Sequence, residues 1–436
     1  MDQEIAERTH TPELRKALTS LEDASAPIPS ALKYYAAGRI YSAVETCFAH
    51  WENVPDLSNA DLYFDYLNAL EGTQDRRGFL LATQSYLARL RNTHTQFVDL
   101  TLLKNPSFGF WARPLPVSAS TPNDLVWTVC RSTLSDLQTG DIIKKVNNRS
   151  ADEFFAHYTQ FVSASKPEAV SYSLLFRGFL FPVELNLTLS DGRTLQVSRT
   201  VAKHPLTRDK RVELDRSGKH PRLIIRSFAE PQFEEQALAF LSQIDNKAPL
   251  ILDLRGNTGG DTPSNLRTKF CEEPIPLWLE RTPEFVGLDK AEQALPAFQN
   301  GELSALHLPP NAQTTSMTLL ENGDHLPASP TPFKGKLVVL IDIGSCSSTE
   351  DLLIPLKHSG RATIVGEASA GSTGQPYFEA PLPNTQLMVS TKRTDFPDGS
   401  RFEGMGIQPD HPVTLTAEDI QQGNDPALIR AEQLLT

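Results

Sequence analysis

The stretch KLVVLIDIGSCSSTED, residues 336–351, holds the signals that decide the fold of the C-terminal half of the chain. It opens with an apolar run, residues 336–343, which predicts a buried strand. A glycine and a cluster of small hydroxyl-bearing residues follow, and a leucine-rich segment, residues 351–356, then predicts a helix. Serines at such a junction suit two roles, because a serine there either caps the helix or exposes its hydroxyl as a nucleophile.

The same alternation of strand and helix extends on both sides of this stretch. RLIIRSF (222–228), APLILDLRG (248–256) and RATIVG (361–366) predict strands, and residues 234–244 predict an amphipathic helix. Strands that alternate with helices form a largely parallel sheet that is covered on both faces. We therefore expect an α/β core over residues 206–436, within a multidomain α+β chain.

A long, proline-dotted insert interrupts this core at about residues 262–333. Inserts of this length in a compact domain are usually lids or mobile binding loops. We therefore expect a lid over this range.

Two further domains are predicted upstream of the core. Residues 1–105 form an N-terminal helical domain, in which Thr11-Pro12 is a typical helix start. Residues 106–205 form a β-rich domain, with turn signals at residues 139–141 and at Asp191-Gly192.

The composition excludes several classes of function. The formal net charge is −12, with 41 basic and 53 acidic residues, which argues against a nucleic-acid or anionic-membrane partner. The four cysteines stand singly, so the sequence predicts neither a metal site nor a redox motif, and we expect no cofactor. We find no signal peptide and no apolar stretch of about 18 residues, so we expect a cytoplasmic protein without a membrane span. A precursor segment removed before residue 1 would change this expectation to export.

Three loops carry residues suited to catalysis. DLRGNTGGD (253–261) follows a buried strand, and its backbone amides suit either an oxyanion or an ordinary turn. The serines after Gly344 lie at a helix N-terminus, where the local field favours a nucleophile. NTHTQF (92–97) contains His94, which taken alone is more often a structural residue than a catalytic one.

Taken together, these motifs resemble a known family. ILDLRGNTGG, VVLIDIGSCSSTE, ATIVGEASAG and FEGMGIQPD occur in the order and rough spacing of the C-terminal processing (tail-specific) serine peptidases. LQTGDIIKKVNNRS is similar to their PDZ-like segment, and LARLRNTHTQF to the end of their N-terminal helical region. The resemblance extends from about residue 62 to about residue 412. It implies a crotonase-like core, a PDZ-like β-rich domain and a peptide or protein substrate, and it allows a homo-oligomer.

The resemblance also implies a mechanism. One branch of the family uses a serine–lysine dyad, but the lysine position falls on Ser372 in this chain. The other branch, which resembles tricorn protease and includes retinoid-binding relatives, uses serine, histidine and glutamate. The matching residues are Ser347 as nucleophile, His94 as general base and Glu403 as the orienting group, acting through Thr93 or a water.

The oxyanion donors implied by the same comparison are the amide of Ser348 and an amide from Gly259 or Gly260. Two other functions stay open on this fold. One is a protein that binds a hydrophobic ligand or a peptide without cleaving it, and the other is a hydrolase of small-molecule acyl esters. The joint presence of serine, histidine and glutamate favours the peptidase, because a pure binding protein does not need all three.

Overall fold

A computed structural model describes most of the chain, and the statements below refer to the described part. The described residues are 11–22, 27–103, 107–199, 210–285, 315–320 and 325–436.

A mainly parallel sheet lies at the centre of the C-terminal half, as the alternating strands and helices predicted. Leu250 pairs with Leu337, and Ile341 with Gly366, in parallel register. All five residues of the strand Leu337–Ile341 are buried. Within the described residues the strand order is His411–Pro412, Ala362–Gly366, Leu337–Ile341, Leu250–Asp253, Arg222–Ile225 and the antiparallel edge strand Val212–Asp215.

Both faces of this sheet are buried because alternate residues of each strand enter different apolar clusters. Leu252 and Val339 pack on one face, and Ile251 and Val338 pack on the other against Ala431. The expected helix at 234–244 begins three residues earlier, because Pro231 occupies the first helical turn after the extended Glu230. The helices of this region are Pro231–Leu241, Ser264–Lys269, Ser348–His358, Ala417–Gln422 and Pro426–Leu435.

The insert at about 262–333 contains regular structure at both of its ends. Leu279–Phe285 pairs with Thr315–Leu320 and with Arg393–Asp395 of the core, and Ile275–Pro276 pairs with His325–Leu326. Residues 286–314 and 321–324 lie outside the described residues. A lid function for this insert stays a prediction.

The N-terminal region is helical, and it ends in a strand that joins the core. Thr11 accepts a hydrogen bond from the Leu14 amide at 3.2 Å, as expected of an N-cap. Gln96–Asp99 pairs with Thr385–Ser390, which pairs in turn with Pro376–Glu379. This pairing brings the segment around residue 94 onto the core. The helices are Pro12–Thr19, Ser30–Cys47, Asn59–Glu71 and Arg76–Ala88, with short 3-10 turns at Ser20–Glu22 and Trp51–Asn53.

The region of residues 107–199, here called the β-rich domain, is an antiparallel sheet with two short helices. Its buried residues form one continuous apolar cluster with those of the N-terminal helices. The Asp191-Gly192 turn joins two paired strands, as predicted. The strands are Phe110–Pro116, Leu125–Ser132, Ile142–Val146, Arg149–Ser150, Glu184–Leu189 and Thr194–Ser198, and the helices are Ala151–Thr159, Pro167–Leu174 and the 3-10 turn Gly178–Leu180.

Candidate active site

Ser347 lies at the junction between the strand Leu337–Ile341 and the helix Ser348–His358, in a backbone conformation that is rare for a residue with a side chain. Its φ is 58° and its ψ is −128°. Strained residues of this kind occur at functional sites, and a serine on a strand-to-helix turn has its hydroxyl turned outward. The Ser347 side chain makes no capping hydrogen bond to the helix amides. Ser347 occupies the N-cap position, while its hydroxyl faces a histidine.

A continuous hydrogen-bonded relay connects this hydroxyl to a buried carboxylate. His94 Nε2 lies 3.1 Å from Ser347 Oγ, and His94 Nδ1 lies 2.9 Å from Ser372 Oγ. Ser372 Oγ donates to Glu403 Oε1 at 3.0 Å. Because Ser372 has one proton and gives it to Glu403, its oxygen accepts the proton of His94 Nδ1. Nε2 is then left with a lone pair directed at Ser347.

The structure brings Ser347, His94 and Glu403 into one hydrogen-bonded chain, and it places the Thr93 hydroxyl outside that chain. The Thr93 hydroxyl accepts from the Ser165 amide at 3.1 Å and lies 3.2 Å from Ser165 Oγ. The expectation that Thr93 connects His94 to Glu403 is therefore wrong. Ser372 occupies that place, because its loop passes the Nδ1 side of the ring while Ser165 engages Thr93.

Glu403 is fully buried, and its hydrogen bonds converge on one oxygen. Oε1 accepts from Asn92 Nδ2 at 2.8 Å and from Ser165 Oγ at 2.8 Å, in addition to Ser372. Oε2 has no hydrogen-bond partner among the described residues. Burial raises the pKa of Glu403 to about 8, and burial lowers the pKa of His94 to about 4. His94 is thus held neutral at neutral pH, whereas Glu403 takes up its charge only as the pH rises through about 8.

Glu350 connects the nucleophile to the loop that carries Ser372. Its carboxylate accepts from the Ser347 amide at 3.0 Å, the Ser372 amide at 3.1 Å and the Gly371 amide at 2.8 Å. It also accepts from Ser369 Oγ. Burial raises the pKa of Glu350 to about 7. No sequence pattern described above pointed to this role of Glu350, which became visible only in the fold.

The backbone amides predicted as oxyanion donors differ in whether they already have a hydrogen-bond acceptor. The Ser348 amide is the first of the helix Ser348–His358, so it has no partner in the helical ladder. A Cβ atom on Gly259 would lie 2.9 Å from the Ser348 nitrogen and 2.7 Å from Ser347 Cβ, so the glycine loop closes directly onto the nucleophile. The Gly259 amide, however, donates to Asn257 Oδ1 at 3.0 Å. Gly260 packs against Phe228, where a Cβ would lie 2.2 Å from the carbonyl carbon.

Three further features were sought in the described residues: a reactive thiol, a metal site and a membrane-spanning helix. Burial raises the pKa of Cys346 well above its ordinary value, so its thiol stays protonated. The described part of the chain holds no group of three or more His, Cys, Asp or Glu side chains that could bind a metal. None of its helices combines the length and apolarity needed to cross a membrane.

A cavity of about 800 Å³ lies between the β-rich domain and the core, apart from this relay. Trp111, Tyr172 and Glu367 contribute to its wall, together with Gly256 and Thr258 of the glycine loop. Ser347 and His94 do not line it. The cavity therefore borders the glycine loop but does not include the pair of Ser347 and His94.

Comparison with known proteins agrees with this geometry. Residues 223–413 match the sequence model of peptidase family S41, which covers the strands and loops that carry Ser347, Ser372 and Glu403. The core of this chain is thus similar to peptidase family S41, the C-terminal processing peptidases, and this similarity indicates a serine-type peptidase.

Solved structures show the same fold over nearly the whole chain. The structure of mature CPAF complexed with lactacystin matches with a TM-score of 0.63 at 15% identity, over 93% of this chain and 98% of that one. A putative peptidase from Parabacteroides merdae matches with a TM-score of 0.51 at 15% identity, over 93% and 96% of the two chains. At such identities the comparison establishes the shared α/β multidomain fold.

Proposed function

We propose that this protein hydrolyses peptide bonds of proteins or oligopeptides through an acyl-enzyme on Ser347. His94 Nε2 takes the proton of Ser347 Oγ as the oxygen attacks the substrate carbonyl carbon. The imidazolium then gives this proton to the leaving amine, and the C–N bond breaks. A water molecule, activated by His94 in the same way, hydrolyses the ester and releases Ser347.

Ser372 and Glu403 support this cycle from the far side of the imidazole. The imidazolium donates from Nδ1 to Ser372, and Ser372 donates to Glu403, so the developing positive charge faces a carboxylate through one hydroxyl. The Ser348 amide is the best-placed donor for the oxyanion, because it lies beside Ser347 and outside the helical ladder.

The observation that carries this proposal is the ordered relay from Ser347 through His94 and Ser372 to Glu403. A binding protein has no need of a histidine whose tautomer is set and whose free lone pair faces a serine. The relay therefore supports catalysis over the binding function that the sequence left open. The similarity of the core to peptidase family S41 supports an amide substrate over a small-molecule ester.

Labelling with a fluorophosphonate, followed by peptide mapping, tests the proposal. We expect an adduct on Ser347 in the wild type and none in Ser347→Ala. In His94→Ala the labelling rate should fall by about three orders of magnitude or more, the usual cost of losing a triad member. A folded wild-type protein that takes up no label, or carries it on another residue, would contradict the assignment.

A further inference from the structure

A four-residue segment of the β-rich domain contacts the loops of the active site. Residues 163–166, Ser-Ala-Ser-Lys, connect the helices Ala151–Thr159 and Pro167–Leu174. We call this segment the strut. Ser163 is buried, and Ser165 and Lys166 are partly buried. Nothing in the sequence pattern marks these residues as functional.

The strut holds the loop that carries His94. Ser163 Oγ donates to the Asn92 carbonyl oxygen at 2.7 Å, and the Thr93 amide donates to Ser165 Oγ at 3.1 Å. These bonds are made to the two residues that directly precede His94. The position of the histidine backbone therefore depends on a segment from the β-rich domain.

The strut also contacts Glu403 directly. Ser165 Oγ donates to Glu403 Oε1 at 2.8 Å, while the same oxygen accepts from the Thr93 amide. A hydroxyl that accepts from one loop and donates to another fixes the distance between them. Hydrogen bonds to a carboxylate stabilise its charged form, so Ser165 also opposes the effect of burial on Glu403.

Lys166 ties together the two loops that carry Ser372 and Glu403. Its Nζ donates to the Ser369 carbonyl at 3.1 Å and to the Met405 carbonyl at 3.3 Å. No carboxylate lies within ion-pair distance of this ammonium among the described residues. The ammonium group of Lys166 is bound by backbone carbonyl oxygens. It therefore constrains the backbone of both loops, which a contact with a flexible side chain would not do.

We propose that Ser165 and Lys166 are positioning residues for the peptidase reaction, and that the β-rich domain completes the active site by inserting the strut between the loops that carry His94, Ser372 and Glu403. This inference rests on the proposed function, since it assigns the strut to the same site. It predicts that catalysis depends on docking of the β-rich domain. That domain is then part of the catalytic apparatus as well as a candidate for substrate contacts.

Substitutions of Lys166 test the proposal first, in the whole chain and with a peptide substrate that the wild type cleaves. Lys166→Met removes the ammonium but keeps an unbranched side chain, and we expect kcat to fall about 10-fold or more with KM within about twofold. Lys166→Arg, which keeps a cation, should recover most of kcat. Lys145→Met, at an exposed lysine of the same domain, should leave kcat unchanged.

Ser165→Ala tests the positioning role through the pH profile of kcat/KM, which would not shift if Ser165 served only in packing. Removing a donor from Glu403 raises the pKa of that carboxyl, so the rise of kcat/KM with pH should move upward by about one pH unit. The other charged or titratable groups near Glu403 are His94 across Ser372, Glu350 of the helix Ser348–His358, Cys346, and Arg401, whose Nε donates to the Glu403 carbonyl at 2.9 Å. None of these is altered in Ser165→Ala, so the change reports on the strut.

The outcomes separate this inference from the proposed function. If the wild type takes up fluorophosphonate on Ser347 while Lys166→Met and Ser165→Ala keep wild-type kcat and pH profile, the role of the strut is refuted and the peptidase assignment stands. Equal losses in Lys166→Met and Lys166→Arg, accompanied by a lower unfolding midpoint, would also refute it, because they indicate a purely structural lysine. If the wild type itself is not labelled, the proposed function fails first.

Discussion

Ser372 and Thr93 are both small hydroxyl residues near His94, and the structure distinguishes them by what each one touches. Ser372 contacts the imidazole and Glu403 directly, whereas Thr93 reaches Glu403 only by way of Ser165. A group that contacts the catalytic histidine directly orients it and stabilises its positive charge. Such a group affects turnover far more than a residue that is separated from the histidine side chain by another contact. The two serve as a matched pair for mutation.

We expect Ser372→Ala to lower kcat by about 100-fold or more. The His94 ring then loses the hydrogen bond that fixes its tautomer and, with it, the connection to Glu403. Thr93→Val, which has nearly the same shape as threonine, should cost about 10-fold or less. Steady-state kinetics on one peptide substrate measure both. A larger loss in Thr93→Val than in Ser372→Ala would mean that the relay runs through Thr93 after all.

The pH dependence of activity should report on Glu403. The relay requires a charged Glu403 and a neutral His94. His94 is neutral above about 4, and Glu403 becomes charged only as pH rises through about 8. We therefore expect kcat/KM to rise with pH around 8, and Glu403→Gln to lack this rise while it retains some activity. A profile that rises near pH 6 to 7 in both proteins would assign the rise to another group.

Among the elements of the core, Glu350 connects its own helix, Ser348–His358, to the loop of residues 369–372. Its two oxygens accept from the Ser347, Gly371 and Ser372 amides and from the Ser369 hydroxyl. A glutamine has one acceptor oxygen and places donors where the other oxygen stood. The exchange therefore leaves buried donors facing each other.

We expect Glu350→Gln to lower the free energy of unfolding by about 1–3 kcal/mol for each buried donor that loses its acceptor. The measurement is urea unfolding at pH 8.5, above the pKa of about 7 at which Glu350 ionises. Glu235→Gln, at an exposed position of another helix, is the control and should have little effect. Equal stability of the two variants would show that the loop does not depend on this carboxylate.

At the scale of the whole molecule, the active site depends on three regions that must pack together. His94 comes from the N-terminal helical region, the strut comes from the β-rich domain, and Ser347, Ser372 and Glu403 come from the core. Arg113 of the β-rich domain forms two parallel hydrogen bonds with Glu367 of the core, at 2.9 and 3.0 Å. This ion pair joins the two regions at the edge of the cavity between them.

A double-mutant cycle with Arg113→Met and Glu367→Gln should give a coupling energy of about 1–3 kcal/mol, because the pair is bidentate and mostly shielded. The control is Lys334–Glu272, whose side chains are 50% and 48% exposed and lie 3.8 Å apart. Its coupling should stay below about 0.5 kcal/mol. Similar values for both cycles would mean that the Arg113 contact does not hold the domains together.

Much of the architecture followed from local sequence signals. The buried strand Leu337–Ile341, the helix after it and the N-cap at Thr11 depend on periodicity and on residues within one or two turns. Family resemblance added Ser347, His94 and Glu403. The helix Pro231–Leu241 shows the limit of this approach, because its first turn was missed while its existence was correctly predicted.

The order of strands and helices and the junction that carries Ser347 thus follow from local properties of the chain, which can be read from neighbouring residues. The packing of the domains places Ser372 and not Thr93 against the imidazole, and it brings Ser165 and Lys166 into the site. His94 and Ser372 are 278 residues apart, and Ser165 and Glu403 are 238 apart. Which of several similar hydroxyls meets a given ring over such separations depends on how whole domains pack, and no local pattern contains that information.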